Sequence, residues 1–314
     1  MRVALAVSVA FALAACGGGS DDKPAKDGEM RKVSIGMLPI TPTGAMQVGI
    51  DQGFFTKRGI DLSIETAQGG AALIPGVMSG KPQFASSNPV SLLTARDKGL
   101  DLKVISHWSS EPDEGDGING VVALKDSGIS SAKDLAGKSV AVNTLKSMGE
   151  VTIREAVRKD GGDADKVKFV ELGFPDMPAA LEAGNVDAVW VPEPFMSGLV
   201  KKGEHLVGYT SKDSVPGLPT QFIFTSARMM KSDPKLVADM TAALEETLTY
   251  ADENPDQVRD AAAKLTKMDR GLLDTIKIDS FGTDLRIAQV TKLGDLMQQD
   301  GLIEKPADVK GLMP

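Results

Sequence analysis

The stretch FPDMPAALEAGNVDAVWVPEPF, residues 174–195, reads as a helix, a stop, a short strand and a closing loop. Ala179, Ala180 and Leu181 suit a helix, and Gly184 suits the left-handed residue that commonly follows one. Asp187–Val191 is a β-rich run, and Pro192–Glu193–Pro194 ends it. An earlier stretch, AALIPGVMSGKPQFASSNP (71–89), repeats the order, with Gly80 as the stop, Gln83–Ser87 as the strand and Pro89 at the close. In open α/β sheets the loops beyond the carboxyl ends of the strands form the binding crevice. The echo therefore predicts one such loop in each half of the chain, with Ser86, Ser87 and Asn88 opposite Glu193 across a shared gap.

Outward from these two units, apolar strand-like runs alternate with helix-patterned ones. Strands are expected at 32–38, 61–67, 83–87 and 101–108, then at 120–124, 139–143, 167–171 and 187–191, with helices between them. This alternation predicts an α/β protein with mixed, mostly parallel sheets covered by helices on both faces. From Lys231 onward the pattern is helical. Leu236, Val237, Met240, Ala243, Leu244, Thr247 and Leu248 recur at spacings of three and four, and Asp233–Pro234 supplies an N-cap and a proline at the first helical position. The stretches SSEPDEGDGING (109–120) and SVPGLPTQFIF (214–224) bracket the second strand series and are expected to carry the chain between two lobes. Lobe one is then 31–118 plus 219–314, and lobe two is 119–218.

Three further strand-to-helix loops carry small hydroxyl or glycine residues: Thr41 and Thr43 in ITPTGAM, Gln68 and Gly69 in AQGGAAL, Thr144 and Ser147 in NTLKSMGE. Free N–H groups and the positive end of a helix make such places receptive to an oxyanion. Simple N-capping by Thr43, Ser86 or Ser147 accounts for the same residues. His107 and Trp108 end a lobe-one strand and could wall a pocket, as could Trp190; core packing is the plainer role for each of the three. Glu193 either faces the gap or sits in the first turn of a helix, favoured by its dipole.

Composition narrows the function classes. Thirty-five basic residues against 43 acidic ones give a net charge of −8, which argues against nucleic acid. Two histidines and one cysteine leave no metal-ligand constellation. The acidic EPDEGDG lacks the spacing of a calcium loop. No P-loop or GxSxG appears, so no enzyme and no cofactor is expected. The one cysteine, Cys16, follows Leu-Ala-Ala at the end of a short apolar run that opens with Arg2. Residues 1–15 read as an export signal, and LAAC resembles the bacterial lipobox, making Cys16 the expected lipidation site and membrane tether. Residues 16–30 read as that cysteine and a flexible spacer.

GIDQGFFTKRGIDLSI (49–64), GGAALIPGVMSGKPQFASS (69–87), KGLDLKVIS (98–106), DLAGKSVAV (134–142) and FPDMPAALEAGNVDAVWVPEPF (174–195) together resemble substrate-binding proteins of bacterial ABC importers. The branch is the nitrate/sulfonate/taurine type, with its relatives for the thiamine pyrimidine precursor. The resemblance implies a class II periplasmic-binding-protein fold, α/β, with two lobes and two interlobe crossovers that closes on its ligand by hinge motion. It implies a monomer on the extracytoplasmic face, partnered by an ABC permease and its ATPase. The implied ligand is a small organic acid of the sulfonate, taurine or nitrate class, with a pyrimidine precursor as the alternative. A tethered sensor, or an enzyme of the same fold, stands further off. The candidate ligand-binding set is Thr41, Thr43, Gln68, Gly69, Ser86, Ser87, Asn88, His107, Thr144, Ser147 and Glu193.

Overall fold

The computed structural model describes residues 30–314; the expected export signal, Cys16 and the expected spacer up to residue 29 lie outside the described residues. The chain begins β1 (Arg31–Met37), α1 (Thr41–Asp51), β2 (Ile60–Thr66), α2 (Gly70–Ser79), β3 (Phe84–Ser87), α3 (Pro89–Asp97) and β4 (Leu102–Ser110). It continues as β5 (Asn119–Ala123), β6 (Ser139–Val142), α4 (Met148–Lys159), β7 (Lys168–Glu171), α5 (Met177–Glu182), β8 (Ala188–Pro192), α6 (Phe195–Lys201), β9 (His205–Gly208) and α7 (Thr210–Ser214). It ends with β10 (Pro219–Ser226), α8 (Ala227–Ser232), α9 (Pro234–Glu253), α10 (Pro255–Thr266), α11 (Arg270–Leu273), α12 (Ile287–Gln299) and α13 (Val309–Leu312).

The strands form two five-stranded sheets, ordered β2-β1-β3-β10-β4 and β7-β6-β8-β5-β9. The two echoing units supply the central strands, β3 and β8. Gly80 and Gly184 both take the positive φ expected of them, 100° and 70°, and let each chain leave its helix and turn directly into its sheet. The sheets are mixed, as the alternation predicts, but parallel pairs make up half of each rather than most. β1 runs parallel to β2 and β3, while β10 runs antiparallel to β3 and β4. The second sheet repeats this, with β6 parallel to β7 and β8, and β5 antiparallel to β8 and β9. The reversed strands, β5 and β10, are the ones that arrive directly from the other sheet.

Those two passages are shorter than the sequence pattern suggests. Ser109 and Ser110 complete β4, so the first passage is 111–118. The second ends at Leu218, because residues 219–224 of the expected crossover belong to β10, a fully buried inner strand. The passages touch: the Glu111 N–H donates to the Leu218 carbonyl at 2.8 Å. The Glu111 carboxylate accepts from the Ile118 N–H at 2.9 Å and from Asn119 Nδ2 at 2.8 Å. Beyond β4, Ser110 makes an isolated bridge to Ser280, which brings the irregular segment after α11 against the same corner.

Helix α9 buries the seven residues of its predicted stripe, and the Asp233 carboxylate accepts from the Leu236 N–H at 2.9 Å as its cap. Helices α1 and α10 pack closely at Gly44, where a Cβ would lie 2.6 Å from the Val258 carbonyl oxygen. Side chains also link elements attached to different sheets. Asn88 Nδ2 donates to Ser147 Oγ at 3.1 Å, and the Ser91 and Ser147 hydroxyls are 2.9 Å apart. Farther out, Arg158 of α4 donates to Asp300, just past α12, at 2.6 Å; the Asp300 side chain is only 2% exposed.

Candidate ligand-binding site

A cavity of about 40 Å³ lies between the sheets, room for about three waters. One wall comes from the first sheet and its loops: Leu38, Ile40, Pro42, Gly70, Ser87 and Asn88. The facing wall holds Ile118, Asn119, Asn143, Met148, Phe174, Trp190, Pro192 and Glu193, while Thr220, Gln221 and Asp279 close the side near the crossovers. The C-terminal ends of β3 and β8 thus meet at one space, which follows from both strands being central in sheets of matching order.

Three helices open on this cavity without side-chain caps. The residues at their N-caps are Ile40 for α1, Gly69 for α2 and Ser147 for α4, and none of their side chains caps the helix. The capping reading fails for Thr43 and Ser147. The Thr43 hydroxyl donates to the Leu38 carbonyl, and that of Ser147 is engaged by Asn88 and Ser91. Asn88 is a true cap, with Oδ1 accepting from the Ser91 N–H at 3.0 Å. Backbone N–H groups at the uncapped starts, with the positive ends of their helices, leave this part of the wall rich in donors.

The opposite character sits a few residues away. Glu193 is 4% exposed, and its carboxylate accepts from Ser197 Oγ at 2.7 Å and from the Ser197 N–H at 3.1 Å. Burial pushes it up to about 7 despite those donors. Asp279 is 6% exposed and is pushed up to about 8 by burial first and then by the charge of Glu111. Glu111, behind them at the crossover, is pushed up to about 7 by burial, against the pull of its two donors. Among the described residues, no lysine or arginine lines the cavity. Three lining groups have no hydrogen-bond partner among the described residues: Ser87 Oγ, Trp190 Nε1 and Gln221 Oε1. Each such buried group costs about 1–3 kcal/mol when left unpaired.

The structure gathers only part of the candidate set. Ser87, Asn88 and Glu193 line the cavity; Thr41, Thr43, Ser86 and Ser147 are buried close by without lining it. Gly69 lies beside its lining neighbour Gly70 and faces Thr144, whose Oγ1 would be 2.5 Å from an added Cβ. Gln68 is exposed, and its carbonyl is 3.5 Å from Asn143 Nδ2. His107 does not join the cavity. Its ring nitrogens are held by the Gly282 carbonyl at 2.7 Å and Ser110 Oγ at 2.6 Å, and burial drives it down to about 4. Lys146, the one cation in these loops, has its side chain exposed. The two tryptophans separate: Trp108 is core, its Nε1 donating to the Pro42 carbonyl at 3.1 Å, whereas Trp190 lines the cavity at 5.9 Å from Phe174. Asp279, Gln221, Asn119 and Asn143 are lining residues that the sequence pattern does not single out.

Comparison with known proteins agrees with this architecture. Residues 43–258 match a family model described as NMT1/THI5 like. A Bacillus subtilis protein named for aliphatic sulfonates binding is 23% identical, the match covering 98% of this chain and 92% of that one. The formylaminopyrimidine-binding protein of Halalkalibacterium halodurans is 26% identical over 60% of this chain and 54% of its own. Among solved structures, the alkanesulfonate-binding protein SsuA from Xanthomonas axonopodis pv. citri, bound to MOPS, superposes with a TM-score of 0.75 at 18% identity. That match covers 91% of this chain and 99% of that one. A Candida albicans gene product described as having the generic periplasmic binding protein structural fold gives 0.73 at 13% identity, covering 91% and 96%.

Proposed function

The chain belongs to the NMT1/THI5-like family, and from that premise we propose that it is an extracytoplasmic solute-binding protein of an ABC importer. It captures a small polar solute between two lobes, 31–118 with 219–314 and 119–218, and hands it to a permease driven by an ATPase. Lipidation at Cys16 after removal of residues 1–15 tethers it to the membrane. The observation that carries this reading is the meeting of β3 and β8 at one cavity lined by unpartnered polar groups. A solute that satisfies those groups touches both sheets together, and only such a solute gives closed lobes an advantage over open ones.

The solute class is that of small organic acids such as sulfonates and taurine, with the acid end on the helix starts near Gly70 and Met148. A heteroaromatic solute such as a pyrimidine precursor is the second reading, favoured by Trp190 and Phe174 in the wall. Binding, with no catalysis, is the activity. Among the described residues, the cavity presents no nucleophile with an adjacent base, and His107 is held elsewhere by two hydrogen bonds.

Native mass spectrometry of the purified protein, followed by calorimetry with taurine, ethanesulfonate, nitrate and an aminopyrimidine, tests the reading. A bound solute that shrinks the radius of gyration in solution scattering supports it. A protein that neither retains nor binds any small solute, and whose scattering never changes, refutes it. Cys16→Ser is expected to move the protein from the membrane to the soluble fraction or medium, and retention at the membrane refutes the tether.

A further inference from the structure

We propose that the cavity selects a solute bearing a protonated amine or amidine, seated between Glu193 and Asp279 with Gln221 as a third acceptor, and that it discriminates against bare anions. The proposal rests on the reading of this cavity as the solute site and adds the charge of the solute.

The cavity wall combines two carboxyl groups from distant parts of the chain. Glu193 follows β8, and Asp279 comes from the segment that Ser280 pins to the end of β4. Both are more than nine-tenths buried. The second, independent observation is Gln221 of β10, which is 4% exposed, lines the same cavity and leaves Oε1 without a partner among the described residues. That oxygen is an acceptor, which a donor on the solute would satisfy. An isolated ionised carboxylate in such surroundings is strongly disfavoured unless a cation pairs with it, and no lysine or arginine of the wall supplies one. An ammonium or amidinium has two or more N–H donors to divide among these three acceptors. Ser87 Oγ, Trp190 Nε1 and the helix starts remain to hold an acceptor elsewhere on the same solute.

The opposite arrangement, in which protonated carboxyls donate to an anion, predicts the reverse pH dependence. The charged and titratable groups acting here are Glu193 after β8, Asp279, Glu111 and Asp116 at the crossover, Tyr209 and, on α7, Lys212 and Asp213. Lys212 acts on Glu111 and is opposed there by Asp213. A cationic solute binds more tightly as the pH rises from 5.5 to 8, because the carboxyls ionise, whereas an anion bound by protonated carboxyls binds more weakly.

The test uses matched pairs that differ in one nitrogen: taurine against ethanesulfonate, and an aminomethyl-aminopyrimidine against its des-amino analogue. Calorimetry and thermal shift are read at pH 5.5, 7 and 8, with wild type, Asp279→Asn, Glu193→Gln and Asn143→Trp. At least one amine of the set is expected to bind at least tenfold more tightly than its partner and to strengthen with pH. Asp279→Asn and Glu193→Gln should each lower its affinity at least tenfold while the circular dichroism spectrum is unchanged. Tighter binding of the amine-free members, binding that weakens with rising pH, or no binding by any amine overturns the proposal. Asn143→Trp narrows the cavity from the facing wall, which Asn143 lines, and is read where its circular dichroism spectrum matches that of wild type. If it abolishes binding of an amine-free anion, the site stands and only the charge assignment falls; if a binding probe is indifferent to it, the site itself is wrong.

Discussion

Replacing Asp279 with asparagine measures what the cleft costs the ligand-free protein. The carboxyl is held at about 8 instead of 3.8, first by burial and then by the charges of Glu111 and Glu193. Between those two values the folded chain keeps a proton that the unfolded chain has released. Stability is therefore greatest at the acid end of this window and falls as the pH rises through it. Each pH unit of displacement corresponds to about 1.4 kcal/mol, so the displacement caps the loss at about 6 kcal/mol. Relaxation and water entry around an ionised buried group bring the expected loss to about 2–3 kcal/mol. Asparagine keeps the size and removes the titration. Urea denaturation of both ligand-free proteins, in steps from pH 4.5 to 8.5, should show the wild type losing stability more steeply. Asp279→Asn should be the more stable of the two at pH 8.5, and two parallel profiles would show that Asp279 does not titrate in a buried, acid-crowded site.

Gly70→Ala places a Cβ 2.7 Å from Ser87 Cα and 2.8 Å from Ser87 Cβ, so it should destabilise by about 1–3 kcal/mol and weaken solute binding measured by calorimetry. Gly44→Ala forces α1 off the Val258 carbonyl and should lower the melting temperature comparably; because the start of α1 lines the cavity at Ile40 and Pro42, solute affinity measured by calorimetry should fall with it. Arg158→Met leaves the buried Asp300 carboxylate without its partner, a loss of about 3 kcal/mol. Because that pair links α4 to the end of α12, ligand-free scattering should also show a larger radius of gyration; an unchanged radius would mean that the pair does not hold the halves together.

Local signals were legible where one side chain decides the local outcome. The stripe on α9 and the stops at Gly80 and Gly184 follow from spacing and from backbone freedom, and the echo of 71–89 in 174–195 marks the two central strands. β10 was hidden because Gly217 and Pro219 punctuate its start like a turn, while its burial comes from neighbours far away in sequence. The cavity was legible on its β3 and β8 sides, where Asn88 and Glu193 end strands. Asp279 gave no signal, since a single acid in an irregular stretch has no periodicity; the Ser110–Ser280 bridge brings it in. His107 misled for the converse reason. A polar ring ending a strand looks available, yet Gly282 and Ser110 occupy both of its nitrogens.

The hydrogen bond from Glu111 to Leu218 gives residues 111–218 a single doorway: they leave the remainder of the protein and rejoin it at adjoining points. A block with neighbouring ends can be lifted out as a cassette, and a new pair of termini can be opened within it without stretching either half. A fluorescent reporter spliced at this doorway would sit where the proposed lobes meet, and a change in light on adding solute would report the closure proposed above.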